Sequence, residues 1–176
     1  MRGQRLPIVL IALSLTACMG PPSDSAPRTP VPAGNAAKTT LLPTDAQELP
    51  DFGFADYEAL LEQLRGTPVL VNIWGSWCGP CREEAPALAR LHDEYGGTVQ
   101  FIGIDILDAR SSARTFMQEF GWTYPSLYDS TGEIRNRLGY IGQPDTLLYD
   151  GDGRRVGEWQ GPIDAAEVEA AIRKLT

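Results

Sequence analysis

Histidine is almost missing from this chain: 176 residues contain one, His92, and cysteine occurs only three times. A structural zinc site takes about four ligands, so two neighbouring thiols and one distant imidazole do not make one, and no metal or other cofactor is expected. Attachment of a c-type haem needs His directly after the second Cys of a Cys-x-x-Cys pair, and Arg82 stands there. Basic residues are scarce as well, 15 Lys and Arg against 23 Asp and Glu, for a net charge of −8. No Lys/Arg cluster offsets that balance, which argues against a nucleic-acid partner because phosphate contacts need clustered cations. A long hydrophobic run is also lacking. The apolar stretch Leu6 to Leu15 falls well short of the roughly 20 residues a membrane-spanning helix requires.

That short stretch reads as an address. Basic Arg2 and Arg5 precede it and small residues around Ala17 follow it, the layout of a secretory signal peptide, here residues 1–17. Leu15-Thr16-Ala17-Cys18 is similar to the lipobox of bacterial lipoproteins, in which the preceding segment is removed and the Cys thiol takes a diacylglycerol. That resemblance implies lipidation at Cys18 and a lipid anchor; cleavage by the ordinary signal peptidase or an uncleaved anchor are the alternatives. Each of them takes the protein out of the cytoplasm, and lipid on Cys18 would hold it to the outer face of the cell membrane or in the periplasm. Lipid on Cys18 would also explain an odd cysteine count, leaving two thiols for chemistry. Residues 18–43 are rich in Pro, Ala, Ser, Thr and Gly without apolar periodicity, as expected of a linker. It is either a working tether or a mere spacer. The folded domain is expected over 44–176.

Within that domain, Phe54, Tyr57, Leu60, Leu61 and Leu64 recur at helical spacing, and Gly66 is placed to stop the helix. Residues 68–74 form a short β-branched apolar run, as a buried parallel strand would. Arg82 to Tyr95 reads as a helix that Pro86 should kink and that Gly96-Gly97 ends. A strand over 99–104, a helix over 110–120, a hairpin of 146–149 with 156–159 about Asp150-Gly151-Asp152-Gly153, and a closing helix over 165–175 follow. The order predicts an α/β fold with a central mixed β-sheet and helices on both faces. Functional groups gather where strands of such a sheet hand over to helices. Cys78 and Cys81 fall there.

Cys78 at a helix start and Cys81 three residues on place two sulfurs on one face, about a turn apart. Only the thiolate attacks, and the helix N-terminus supplies partial positive charge that lowers a thiol pKa. Cys78 is therefore the expected nucleophile, with Cys81 resolving the mixed disulfide. Pro80 is tolerated so early because its missing N–H would have no partner. A purely structural disulfide fits an oxidising compartment, but a four-residue loop constrains the unfolded chain little.

Trp74-Gly75-Ser76-Trp77-Cys78-Gly79-Pro80-Cys81, with Pro86 downstream and Gly142-Gln143-Pro144 before the late strand, resembles the thioredoxin superfamily over about residues 49–176. Leu49-Pro50-Asp51-Phe52 and residues 66–72 look more like its membrane-anchored TlpA/ResA/CcmG branch, redoxins that manage disulfides for cytochrome c maturation and related tasks. The resemblance implies a thioredoxin-like fold and a protein-disulfide reductase acting on the thiols and disulfides of exported proteins, recharged by a membrane electron donor. It implies that Pro144 is a cis-proline facing the Cys pair, that the Gln143 backbone pairs with substrate, and that Trp77 lies exposed beside Cys78 while Trp74 packs in the core. Asn72 stands where cytoplasmic thioredoxins carry a buried Asp, and an amide cannot act as a base. Glu84 and Asp108 match acids of the branch, so one of them is a candidate to shuttle the Cys81 proton. The alternatives are a dipole-favoured acid in the first helical turn for Glu84 and a solvated loop acid for Asp108. Asp145 replaces the usual Thr after the cis-proline and should add charge near the substrate groove. The branch has a two-strand ornament before its first core strand, but Asp51 to Thr67 here reads as helix. A disulfide-forming oxidant and a redox-inactive binding lipoprotein are the competing functions; a Cys-x-x-Cys pair is not the pattern of a thiol peroxidase.

Overall fold

A computed structural model of the chain describes residues 40–176. The expected signal peptide, Cys18 and almost all of the expected linker lie outside the described residues. Leu41 and Leu42, at the end of that linker, pack against the apolar layer around Phe52 and Tyr57.

Ten elements follow in order: α1 (Phe54–Gln63), β1 (Val69–Trp74), α2 (Gly79–Tyr95), β2 (Gln100–Ile106), α3 (Arg110–Glu119), β3 (Ser126–Asp129), α4 (Glu133–Arg137), β4 (Asp145–Tyr149), β5 (Arg155–Gln160) and α5 (Ala165–Ile172). One sheet contains all five strands in the order β3-β2-β1-β4-β5. β1, β2 and β3 run parallel, while β4 is antiparallel to both β1 and β5.

Every residue of β1 is buried, because a central strand is covered on both faces. Leu70 and Trp74 point into one apolar layer with residues of α2, α3 and α5; Val69, Val71 and Ile73 point into the other, with Phe52 and α1 and α4 side chains. The edge strand β5 is mostly exposed and carries Arg155 and Glu158, charges that discourage edge pairing with another chain. Between β4 and β5, Gly153 adopts φ 74°, and Asp150 Oδ1 accepts the N–H groups of Asp152 and Arg154 at 3.0 and 2.8 Å.

β3 and α4 were not expected from the sequence. β3 is four residues long, and α4 only five, too short for periodicity to register. Helix α2 begins at Gly79 and runs to Tyr95 with Pro86 inside it. In place of the two-strand ornament, α1 precedes β1, and Asp51 makes an isolated bridge to Tyr128.

Beneath α2, Trp74 stacks on Phe116 at 4.6 Å and meets Trp122 edge-on at 4.9 Å. Gly103 makes room for that indole: a Cβ there would lie 2.7 Å from Trp74 Nε1 and collide with the Ser126 hydroxyl. Gly103→Ala is therefore expected to lower stability by about 1–3 kcal/mol, read from urea unfolding. His92 lies edge-on to Phe101 at 5.4 Å, and burial lowers its pKa, so it packs as a neutral ring.

Candidate active site

Chain direction places the C-terminal ends of β1 and β2 side by side, with Trp74 opposite Asp105. The segment Gly75–Cys78 turns across that end into α2. Cys78 is the N-cap of α2 and Pro80 sits in its first turn, where the helix has no use for the missing N–H. The sulfurs of Cys78 and Cys81 are joined in a disulfide across a Cα separation of 5.2 Å. The Cys81 N–H points at Cys78 Sγ from 3.2 Å. In the reduced protein that donor and the helix N-terminus would both favour a Cys78 thiolate over a Cys81 one.

Trp77 is 53% exposed beside the pair, whereas Trp74 is fully buried. The Trp77 indole folds back over Gly75, where a Cβ would lie 2.9 Å from its Nε1. Opposite the disulfide, the Gln143–Pro144 peptide bond is cis, and the Gln143 carbonyl oxygen lies 3.8 Å from Cys78 Sγ. Arg135 Nη1 donates to Gln143 Oε1 at 2.8 Å, tying the loop to α4. Ile141 in the same loop is 98% exposed.

Glu84 is not a surface acid of the first helical turn. It is 4% exposed, its Oε1 accepts from Asn72 Nδ2 at 2.8 Å and its Oε2 from the Ile163 N–H at 2.9 Å. Burial raises its pKa to about 7 against those two hydrogen bonds. Asn72 thus contributes as a donor, to Glu84 and also to Thr146 Oγ1 at 3.0 Å. Glu84 stands three residues after Cys81 in one helix, hence on its side of α2.

Asp108 is half-buried and held: Oδ2 accepts the Ser76 N–H at 2.6 Å and Oδ1 accepts its neighbour Ala109 N–H at 2.7 Å. It fixes the loop that delivers Cys78, a job a freely solvated loop acid could not do. Asp145 corrects the sequence expectation. Its side chain is buried at the start of β4, and burial, opposed by Arg135, raises its pKa to about 6; it does not present an open charge to the groove. Asp105 was missed altogether. It is fully buried in β2 within reach of Asp108, and the signal was an acid inside the apolar run Phe101-Ile102-Gly103-Ile104-Asp105-Ile106.

A disulfide-forming Cys-x-x-Cys pair at the mouth of α2, facing a cis-proline on a five-stranded thioredoxin-like sheet, defines a thiol–disulfide oxidoreductase. The chain belongs to the AhpC/TSA family, whose model matches residues 45–154. It is similar to the thiol-disulfide oxidoreductase ResA of Bacillus thuringiensis subsp. konkukian, 30% identical over 134 residues that cover 74% of this chain and 78% of that protein. The thiol:disulfide interchange protein DsbE of Allochromatium vinosum is 36% identical over 124 residues, 70% of this chain and 67% of its own length. Among solved structures, a DsbF homologue from Corynebacterium diphtheriae superposes with a TM-score of 0.60 at 29% identity, covering 65% of this chain and 76% of its own. A secreted Mycobacterium tuberculosis disulfide oxidoreductase does so with 0.59 at 25%, covering 65% and 86%.

Proposed function

We propose that this protein reduces disulfides of exported proteins outside the cytoplasm, held to the membrane by lipid on Cys18 and recharged by a membrane electron donor. The observation that carries the reading is Cys78 Sγ at the N-cap of α2, faced at 3.8 Å by the Gln143 carbonyl beside cis-Pro144. An incoming extended chain would lie against Trp77 and pair with the Gln143 backbone, its disulfide over Cys78. The Cys78 thiolate attacks one substrate sulfur and expels the other as a thiolate. The Cys81 thiolate then attacks Cys78 Sγ, releases the second substrate thiol and closes the Cys78–Cys81 disulfide, so two electrons pass to the substrate. Glu84 would take the proton from Cys81. The names of the ResA and DsbE relatives and the secreted neighbour favour work on exported thiols, with apocytochrome c among the substrate candidates.

The Gly79-Pro80 dipeptide is that of reducing thioredoxins, for which a potential of about −270 mV is typical, against about −120 mV for a strong oxidant. Equilibration with dithiothreitol buffers is expected to give a value near the reducing end. A value near the oxidising end would overturn the reductant reading in favour of disulfide formation.

A further inference from the structure

From Phe101 to Ile106, β2 is buried and apolar on both faces except at Asp105. That side chain is closed to solvent, and neither carboxyl oxygen accepts a hydrogen bond from any donor among the described residues. An uncompensated carboxylate is not sustained in such a place. The carboxyl keeps its proton instead: burial first, then the neighbouring Asp108, raises the pKa to about 8, with Arg110 working in the opposite direction. Asp108 is the acceptor of the pair, since its two oxygens already accept the N–H groups of Ser76 and Ala109. One acid holds a hydrogen without an acceptor elsewhere, and the other is an acceptor beside it.

We propose that Asp105 is a positioning residue for disulfide exchange: it donates its carboxyl hydrogen to Asp108, whose carboxylate in turn holds the Ser76 N–H and the segment that delivers Trp77 and Cys78. This rests on the reading of Cys78–Cys81 as an exchange pair. From Asp108 the hydrogen bonds run on towards the sulfur: the Ser76 N–H on Asp108 Oδ2 at 2.6 Å, then the Cys78 N–H on the Gly75 carbonyl at 3.0 Å. The charged groups that act on Asp105 are Asp108 and, from α3, Arg110, which is itself paired with Asp51. Above pH 8 Asp105 ionises, two carboxylates face each other, and the Ser76 N–H loses its fixed acceptor. An amide at position 105 still donates an N–H but has no proton to lose. Asn is therefore the informative replacement.

The test measures the rate at which the reduced full-length protein attacks oxidised glutathione, from pH 6 to 9, with the thiolate fraction of Cys78 taken from iodoacetamide alkylation. Divided by that fraction, the wild-type rate is expected to fall as pH rises through about 8, whereas Asp105→Asn stays level. Asp105→Ala, which removes the donor, is expected to be slower by about tenfold at pH 7, the loss of one charge-assisted hydrogen bond. Parallel pH profiles for wild type and Asp105→Asn would overturn the inference, as would Asp105→Ala at the wild-type rate or Asp105→Asn as slow as Asp105→Ala. If Asp105→Ala does not fold, the Asp105→Asn profile decides alone. A wild-type protein inert towards glutathione disulfide overturns the exchange reading itself; an active one indifferent to position 105 overturns only this inference.

Discussion

Incubated with disulfide-bonded exported proteins, the reduced Cys81→Ala protein is expected to accumulate mixed disulfides on Cys78, and Cys78→Ala to accumulate none. The asymmetry follows from where the two sulfurs sit. Cys78 Sγ caps α2, receives the Cys81 N–H at 3.2 Å and is the sulfur next to the Gln143 carbonyl. Both cysteines are buried, Cys78 4% and Cys81 1% exposed, but Cys81 lies inside the first turn of the helix whereas Cys78 stands at its open end. Attack from outside must therefore fall on Cys78, and Cys81 can only reach inward to resolve it. Removing the nucleophile should lower exchange by at least about a thousandfold, while removing the resolving thiol leaves the first attack intact and blocks release. Non-reducing gels with thiol trapping measure both. Equal trapping by the two variants would sink the assignment of roles, and none by either would favour a redox-inactive binding protein.

The legible parts of the sequence were those with strong local chemistry. β1 showed itself as a β-branched run, and Asp150-Gly151-Asp152-Gly153 marked its hairpin by a demand for positive φ that Gly153 meets. Trp77 and Pro144 emerged only through the family pattern, since an isolated Trp or Pro says nothing of what it faces. The four carboxyls were hardest to read. Glu84 looks like an ordinary helical acid until the sheet brings Asn72 and Ile163 to it across 12 and 79 residues of chain. Asp108 looks like a loop acid until Ser76, 32 residues away, meets it. Asp145, at the cis-proline, reads as a surface charge because burial at the start of β4 is a tertiary fact. Asp105 alone left a local trace, a charge breaking an apolar strand, and spacing alone did not reveal its neighbour.

Glu84→Gln should separate what that carboxyl does for stability from what it does for the reaction. Its folded pKa, about 7, is raised above the ordinary 4.5. Between those values the folded state binds the proton that the unfolded state has released. Stability from this group is then fully present below about pH 4.5 and is lost as pH rises towards 7. The gap of about 2.5 pH units corresponds to roughly 3 kcal/mol. Gln cannot ionise, so its stability relative to wild type should improve by about that amount from pH 4.5 to 8, measured by urea unfolding at each pH. The same burial that costs stability near neutrality gives Glu84 a pKa suited to accepting and returning a proton at pH 7. Cys81 must lose a proton before it attacks Cys78, and Glu84 is the buried acid on its side of α2. Turnover with a protein disulfide at pH 7 should fall by about tenfold to a hundredfold in Glu84→Gln, at the low end of general-base effects. Single-turnover traces should place the loss in resolution of the mixed disulfide and leave the first attack by Cys78 unchanged. Loss in the first attack instead would mean that Glu84 acts on the geometry of the pair. A variant with wild-type turnover and the expected stability profile would restrict Glu84 to a structural acid.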